Sequence, residues 1–128
     1  MIMANITQEM KELIEKNIIA FATVNRDKQP HTIAIAYPKV VSDNQVILTD
    51  NFMQESVKNI KENKNVSFVV WNTGWKDIND CYGYEFIGNA DYFDSGKWLD
   101  FVKNLDKNKG LPAKGAVLIT ISNIKKLV

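Results

Sequence analysis

The chain has 128 residues, 45% of them hydrophobic and 24% charged, with a formal net charge of +1. That is the length of one domain, taken as residues 1–128, with enough apolar material for a single core. The charge balance offers no broad basic face for nucleic acid, and no apolar run approaches the ~20 residues that a membrane-spanning helix needs.

Cys81 is the only cysteine, so no internal disulfide can form. Residues 1–5 have neither the basic flank nor the apolar core of a signal peptide. The expectation is a cytoplasmic protein.

Thr7 to Lys16 reads as a helix, with Met10, Leu13 and Ile14 on one face and Lys11, Glu12 and Glu15 on the other. Ile18 to Val24 is a β-prone run, and Asn25 to Pro30 a polar turn. A strand resumes at His31, where Ile33, Ile35 and Tyr37 alternate with Thr32, Ala34 and Ala36. The small second face would let a flat group lie close to the sheet. Pro38 interrupts the strand, and Ser42-Asp43-Asn44 turns the chain into Val46-Ile47-Leu48.

Thr49-Asp50-Asn51 is polar, and a helical pattern follows from Phe52 to Asn63, with Met53, Val57 and Ile60 on its apolar stripe. Asn51 and Gln54 have the spacing of a capping box. A strand running into a helix N-terminus makes a local anion site, because the first backbone N–H groups have no partner inside the helix.

Val66 to Trp71 reads as the next strand, with Trp71 expected in the core. Trp75 lies in a polar loop and is a candidate for an interface or a pocket lid. Tyr82 to Phe93 is a long strand in which Gly88 suggests a bulge or a close backbone approach. A further amphipathic helix opens at Asp94-Ser95-Gly96, with Trp98, Phe101, Val102 and Leu105 as its buried stripe, and Ala116 to Ile121 forms the last strand. The elements predict a mainly β protein of about six antiparallel strands in a Greek-key-like barrel, with about three short helices.

Several chemistries lack their residues. His31 is the only histidine, so neither a zinc site with the usual ligands nor a Ser-His-Asp triad has support. There is no Walker A sequence and no G-x-G-x-x-G. Most Asp and Glu fall on solvated helix faces. No catalytic side chain and no metal ligand is assigned, and if the protein is an enzyme a bound cofactor carries the chemistry.

Phe21-Ala22-Thr23-Val24 with Pro30-His31-Thr32, then Asp50-Asn51-Phe52-Met53, then Leu111-Pro112-Ala113-Lys114-Gly115-Ala116-Val117 together resemble the flavin-binding split-barrel family. This family comprises the small relatives of pyridoxamine 5′-phosphate oxidase and of bacterial FMN-binding proteins. The resemblance covers nearly the whole chain in the right order. It implies a split β-barrel homodimer that binds FMN at the subunit interface.

Carried over by position, Thr32, Ile33 and Ala34 would border the isoalloxazine ring. Thr49, Asp50 and Asn51 would contact the ring edge and ribityl chain. Many relatives have Lys and Thr at the positions of Glu55 and Ser56, where they hold the phosphate. Here the hydroxyl is kept and the cation is replaced by a carboxylate, so charge is expected from Lys58 or Lys114 with Glu55 turned to solvent. Asn59 could face the ligand one turn on, and Lys114, followed by Gly115, matches a basic family position near the flavin.

The implied function is that of an FMN-dependent oxidoreductase acting on a small molecule or electron acceptor. The alternatives are a non-catalytic flavin or electron-carrier module, or a split barrel that has lost flavin and binds another ligand. FAD and a deazaflavin stay open beside FMN. Oxidation of pyridoxamine phosphate itself would need a second phosphate cluster rich in Arg and His, and this chain has only Arg26 and His31.

Overall fold

Large apolar side chains recur at every second position of the long strands, and the sheet has curled so that this set faces inward. The computed structural model describes residues 4–127. Its strands are β1 (Ile19–Val24), β2 (Pro30–Ile35), β3 (Lys39–Ser42), β4 (Gln45–Asp50), β5 (Asn65–Trp71), β6 (Gly83–Phe93) and β7 (Gly115–Lys126). The helices are α1 (Gln8–Lys16), α2 (Glu55–Glu62) and α3 (Lys97–Lys103).

The strands form one sheet in the order β2-β1-β5-β6-β7-β4-β3, and each neighbouring pair is antiparallel. The terminal strands β2 and β3 are not paired with each other, so the barrel is split along that seam. The class is the expected one, but the strand count is seven rather than six. The extra strand is β3, which pairs Lys39 with Ile47 and Val40 with Val46. With Pro38 before it and only four residues in it, β3 carries too little alternation to stand out. The last strand also runs beyond its expected end at Ile121 to Lys126.

Phe21, Phe68 and Phe86 are fully buried at the centre. Phe68 is the register partner of both others, and it stacks on Phe86 with ring centroids 4.7 Å apart. α1 opens at Thr7, whose side chain accepts a bond from the Met10 N–H, and it buries Leu13 and Ile14. α3 covers a second cluster of Ile47, Leu99, Val102, Ala116 and Leu118.

Two side-chain expectations are corrected. Leu99 is buried in α3, whereas Leu105 lies past the end of that helix. Trp71 is 43% exposed. Val66, Phe68 and Val70 take the inward positions of β5, so the alternation turns Trp71 outward whatever its hydrophobicity.

Gly88 marks a break in the β6–β7 register, between Ile87 and Gly88. A Cβ there would collide with the Thr120 carbonyl oxygen and sit 3.1 Å from the Ile121 Cα. Both obstacles are backbone, so the neighbouring strand itself must move. Gly88→Ala is expected to lower unfolding stability by about 2 kcal/mol. Urea denaturation checks this, and an unchanged midpoint would show that the strands part without cost.

Candidate functional site

The geometry of the site starts at the corner between β4 and α2. Asp50, only 1% exposed, accepts a bond from the Met53 N–H at 2.9 Å and another from the Tyr92 hydroxyl at 2.6 Å. The Asn51 Oδ1 accepts from the Ala113 N–H at 2.8 Å. The Lys114 N–H donates to the Asp50 carbonyl at 2.9 Å, and Lys114 Nζ donates to the Met53 carbonyl at 3.1 Å. These bonds fix residues 50–53 against residues 113–115.

The corner corrects two expectations. α2 starts at Glu55 rather than Phe52, and its N-cap is Gln54, which makes no side-chain bond to the helix. Asn51 forms no capping box, because its side chain is committed to Ala113 across the chain. The first N–H groups of α2 therefore have neither a helical nor a side-chain partner.

Beside this helix end lies a groove of about 560 Å³, within the usual range for small-molecule sites. Its apolar length is formed by Ile33, Ile35, Met53 and Leu111, and Ser56 and Glu55 stand at its helix end. Ala34, Ala36 and Tyr37 line it as well. Consecutive residues of β2 contribute, so the groove follows the free edge of the strand and not only its small-residue face. Phe52 and Tyr37, 75% and 44% exposed, stand at its rim.

Ser56 is 1% exposed, and its Oγ has no hydrogen-bond partner. One turn on, Asn59 Nδ2 donates to Thr23 Oγ1 at 3.0 Å, while Asn59 Oδ1 is unpartnered. At the other side, Asn108 Nδ2 donates to Thr49 Oγ1 at 2.7 Å and to the Val102 carbonyl at 2.8 Å. That side chain ties the groove wall to α3.

Ile33, Ala34, Thr49, Asn51, Glu55 and Ser56, all expected from the sequence, come together on this groove. Asp50 and Asn59 are buried behind it. Lys114 and Gly115 belong to the corner scaffold, with Gly115 packed so closely under the Tyr92 hydroxyl that a side chain there would displace the Tyr92 ring. Thr32 is exposed and does not line the groove. Glu55 is exposed, as expected, and so is Lys58, which does not line the groove either. His31, Tyr37, Phe52, Met53 and Leu111 line the groove as well, although they are not among the expected cofactor-binding residues. For His31 and Tyr37 the signal was present in the alternation that places them with Ile33 and Ile35.

The pyridoxamine 5′-phosphate oxidase family profile matches residues 6–127, and the chain belongs to that family. An uncharacterised protein of Methanocaldococcus jannaschii is 34% identical over 126 residues, which covers 95% of this chain and 80% of its relative. HupZ of Group A Streptococcus has the same fold at a TM-score of 0.81 and 27% identity, covering 95% of this chain and 94% of the other. An FMN-binding protein of Syntrophomonas wolfei shares the fold at a TM-score of 0.74 and 20% identity, covering 92% and 83% of the two chains.

Burial, the bond to Asp50 and the nearby carboxylates of Asp50 and Asp94 hold the Tyr92 hydroxyl well above the usual range for tyrosine. The unfolded chain then releases this proton first, near the ordinary value of about 10. Stability from this group is complete below that pH and is lost as the pH rises towards the folded value. Tyr92→Phe is expected to lose about 1–3 kcal/mol at neutral pH, because Asp50 Oδ2 is left buried without a donor. Its alkaline decline should also be shallower than that of the wild type. Urea titrations at pH 7 and above pH 10 check both, and equal slopes would show that the fold does not hold the hydroxyl protonated.

Proposed function

We propose that the groove binds FMN in a homodimer that places the flavin at the subunit interface, and that the protein is a flavin-dependent oxidoreductase acting on a small molecule or electron acceptor. The observation that carries this reading is the Ser56 hydroxyl. It is buried and unpartnered, at an uncapped helix N-terminus, at the end of a largely apolar groove. Buried polar groups are nearly always satisfied, and the exceptions call for a reason. A phosphate received there would use the hydroxyl, the free N–H groups and the helix dipole together.

In this reading Ser56 and the first turn of α2 hold the phosphate. Thr49 and Asn51 meet the ribityl chain and ring edge, and Ile33 and Ala34 border the ring, with Thr32 contributing only its backbone. Asp50, Asn59, Lys114 and Gly115 hold the walls in place from behind. Glu55, exposed at the helix end, turns to solvent. A bound flavin supplies the electron transfer, and the chain supplies binding, orientation and shelter from water.

The interface position is supported by the rim. Phe52, Tyr37 and Leu111 are 75%, 44% and 37% exposed, an apolar border that a second subunit would cover. An oxidoreductase is favoured over a closed carrier because Trp75, the candidate lid within the chain, does not line the groove.

Protein incubated with FMN and passed over a sizing column should keep a two-band flavin spectrum and elute at dimer size. A colourless protein would overturn the flavin reading. Ser56→Ala should weaken FMN binding about tenfold. In the ligand-free protein it should leave the melting temperature unchanged or higher, since it removes a buried unpaired hydroxyl. A fall in both would assign Ser56 to the fold.

A further inference from the structure

No lysine of α2 lines the phosphate end of the groove. Position 55 holds a carboxylate where the resemblance leads one to expect a lysine, and the two lysines expected to supply the charge instead do not stand in the groove. Lys58 is exposed and does not line the groove. Lys114 is committed to the Met53 carbonyl at 3.1 Å and lies 4.0 Å from the Asp50 carboxylate. Of the residues that do line the groove, the only basic one is His31.

The sheet register brings His31 to the same end of the groove as Ser56. His31 is paired with Thr23 across the β1–β2 ladder, and directly opposite residues of an antiparallel pair present their side chains on one face. Thr23 is buried, and its hydroxyl accepts the Asn59 amide at 3.0 Å. Asn59 lies three residues after Ser56 on α2, hence on the same helix face. Ser56 and His31, which line the groove, are therefore linked through Asn59 and Thr23 behind it, and two buried oxygens of this group, Ser56 Oγ and Asn59 Oδ1, have no partner. The other titratable groups lining the groove are Glu55 and Tyr37. β1 presents the uncharged Thr23 opposite His31.

We infer that His31 supplies the positive charge for the flavin phosphate from across the groove, replacing the basic residue missing at position 55, and so sets the preference for a phosphorylated over an unphosphorylated flavin. The inference rests on the flavin reading above and adds to it the residue that recognises the charge. An imidazole beside a phosphate dianion is favoured in its protonated form, and even the neutral ring can donate one N–H bond. Glu55 opposes the same charge from the helix side, so the His31 contact has to outweigh a repulsion that solvent screens.

The test compares the dissociation constants of FMN and riboflavin, read from flavin fluorescence, in wild type, His31→Ala, His31→Lys and Glu55→Lys. Wild type is expected to prefer FMN about tenfold or more, the effect of one charge-assisted contact. His31→Ala should lose most of that preference through weaker FMN binding while riboflavin is held as before. His31→Lys should keep it, which also shows that the site still folds, and Glu55→Lys should raise it.

Equal weakening of both flavins in His31→Ala would assign His31 to packing or to the ring and overturn the inference. So would FMN affinity that His31→Ala leaves unchanged, or a wild type that binds both flavins equally. Wild type binding neither flavin would overturn the flavin reading itself, and this inference with it.

Discussion

The buried carboxylate of Asp50 is the constraint from which the rest of the site follows. A carboxylate with 1% exposure must have its lone pairs met, and here a backbone N–H three residues on and a tyrosine hydroxyl from β6 meet them. Bonding to Met53 turns the chain sharply after β4. That turn keeps residues 52–54 out of the helix, brings Phe52 to the surface and lets α2 begin only at Glu55. Had Asp50 capped the helix in the usual way, the first N–H groups of α2 would have been satisfied by the protein itself. The corner is braced twice, by the Tyr92 hydroxyl on Asp50 and by the opposite segment, where the Ala113 N–H donates to Asn51 and Lys114 Nζ to the Met53 carbonyl.

Satisfied and unsatisfied polar groups are distributed unevenly around the groove. On the α3 side, Asn108 Nδ2 donates both to Thr49 and to the backbone, and Asn108 Oδ1 alone is left over. On the α2 side, Ser56 Oγ and Asn59 Oδ1 are left over. Leaving a buried oxygen unmet is unfavourable by about 1–3 kcal/mol, and two of them occur on one face of one eight-residue helix. Of these oxygens only Ser56 Oγ lines the groove, so its unmet polar capacity lies at the helix end and its apolar capacity along the β2 edge. This asymmetry suits a ligand with a flat apolar body and a charged tail better than one that is polar throughout.

Element types were legible in the sequence where period and length were both strong. The alternation through Tyr82 to Phe93 and the apolar stripe of α1 needed no tertiary information. What was not legible depended on partners distant in sequence. The start of α2 is set by Tyr92 and Ala113, far along the chain from Asp50 and Asn51, so a local capping pattern misread it. Trp71 was placed by hydrophobicity against its own alternation, and the alternation prevailed. His31 is too isolated in the sequence to suggest a zinc site, a triad or a second phosphate cluster, and it is not among the expected cofactor-binding residues. Its place beside Ile33 and Ile35 on the inward set of β2 already marked it as a groove residue.

The seam of the barrel explains why a groove exists at all in a chain of this size. The interior is filled by Phe21, Phe68, Phe86 and their neighbours, and no ligand of flavin size could be enclosed there. Space arises instead where the sheet fails to close. β2 begins at Pro30, which has no N–H to offer, and it is stopped before Pro38 at Tyr37, whose φ of 64° no extended strand can continue. These two ends keep β2 short and leave its outer edge unpaired with β3. An open strand edge is normally a hazard that invites a second chain. Here the corner of β4 and α2 stands across the gap, so the open edge becomes one wall of a groove whose far wall is fixed by Asp50.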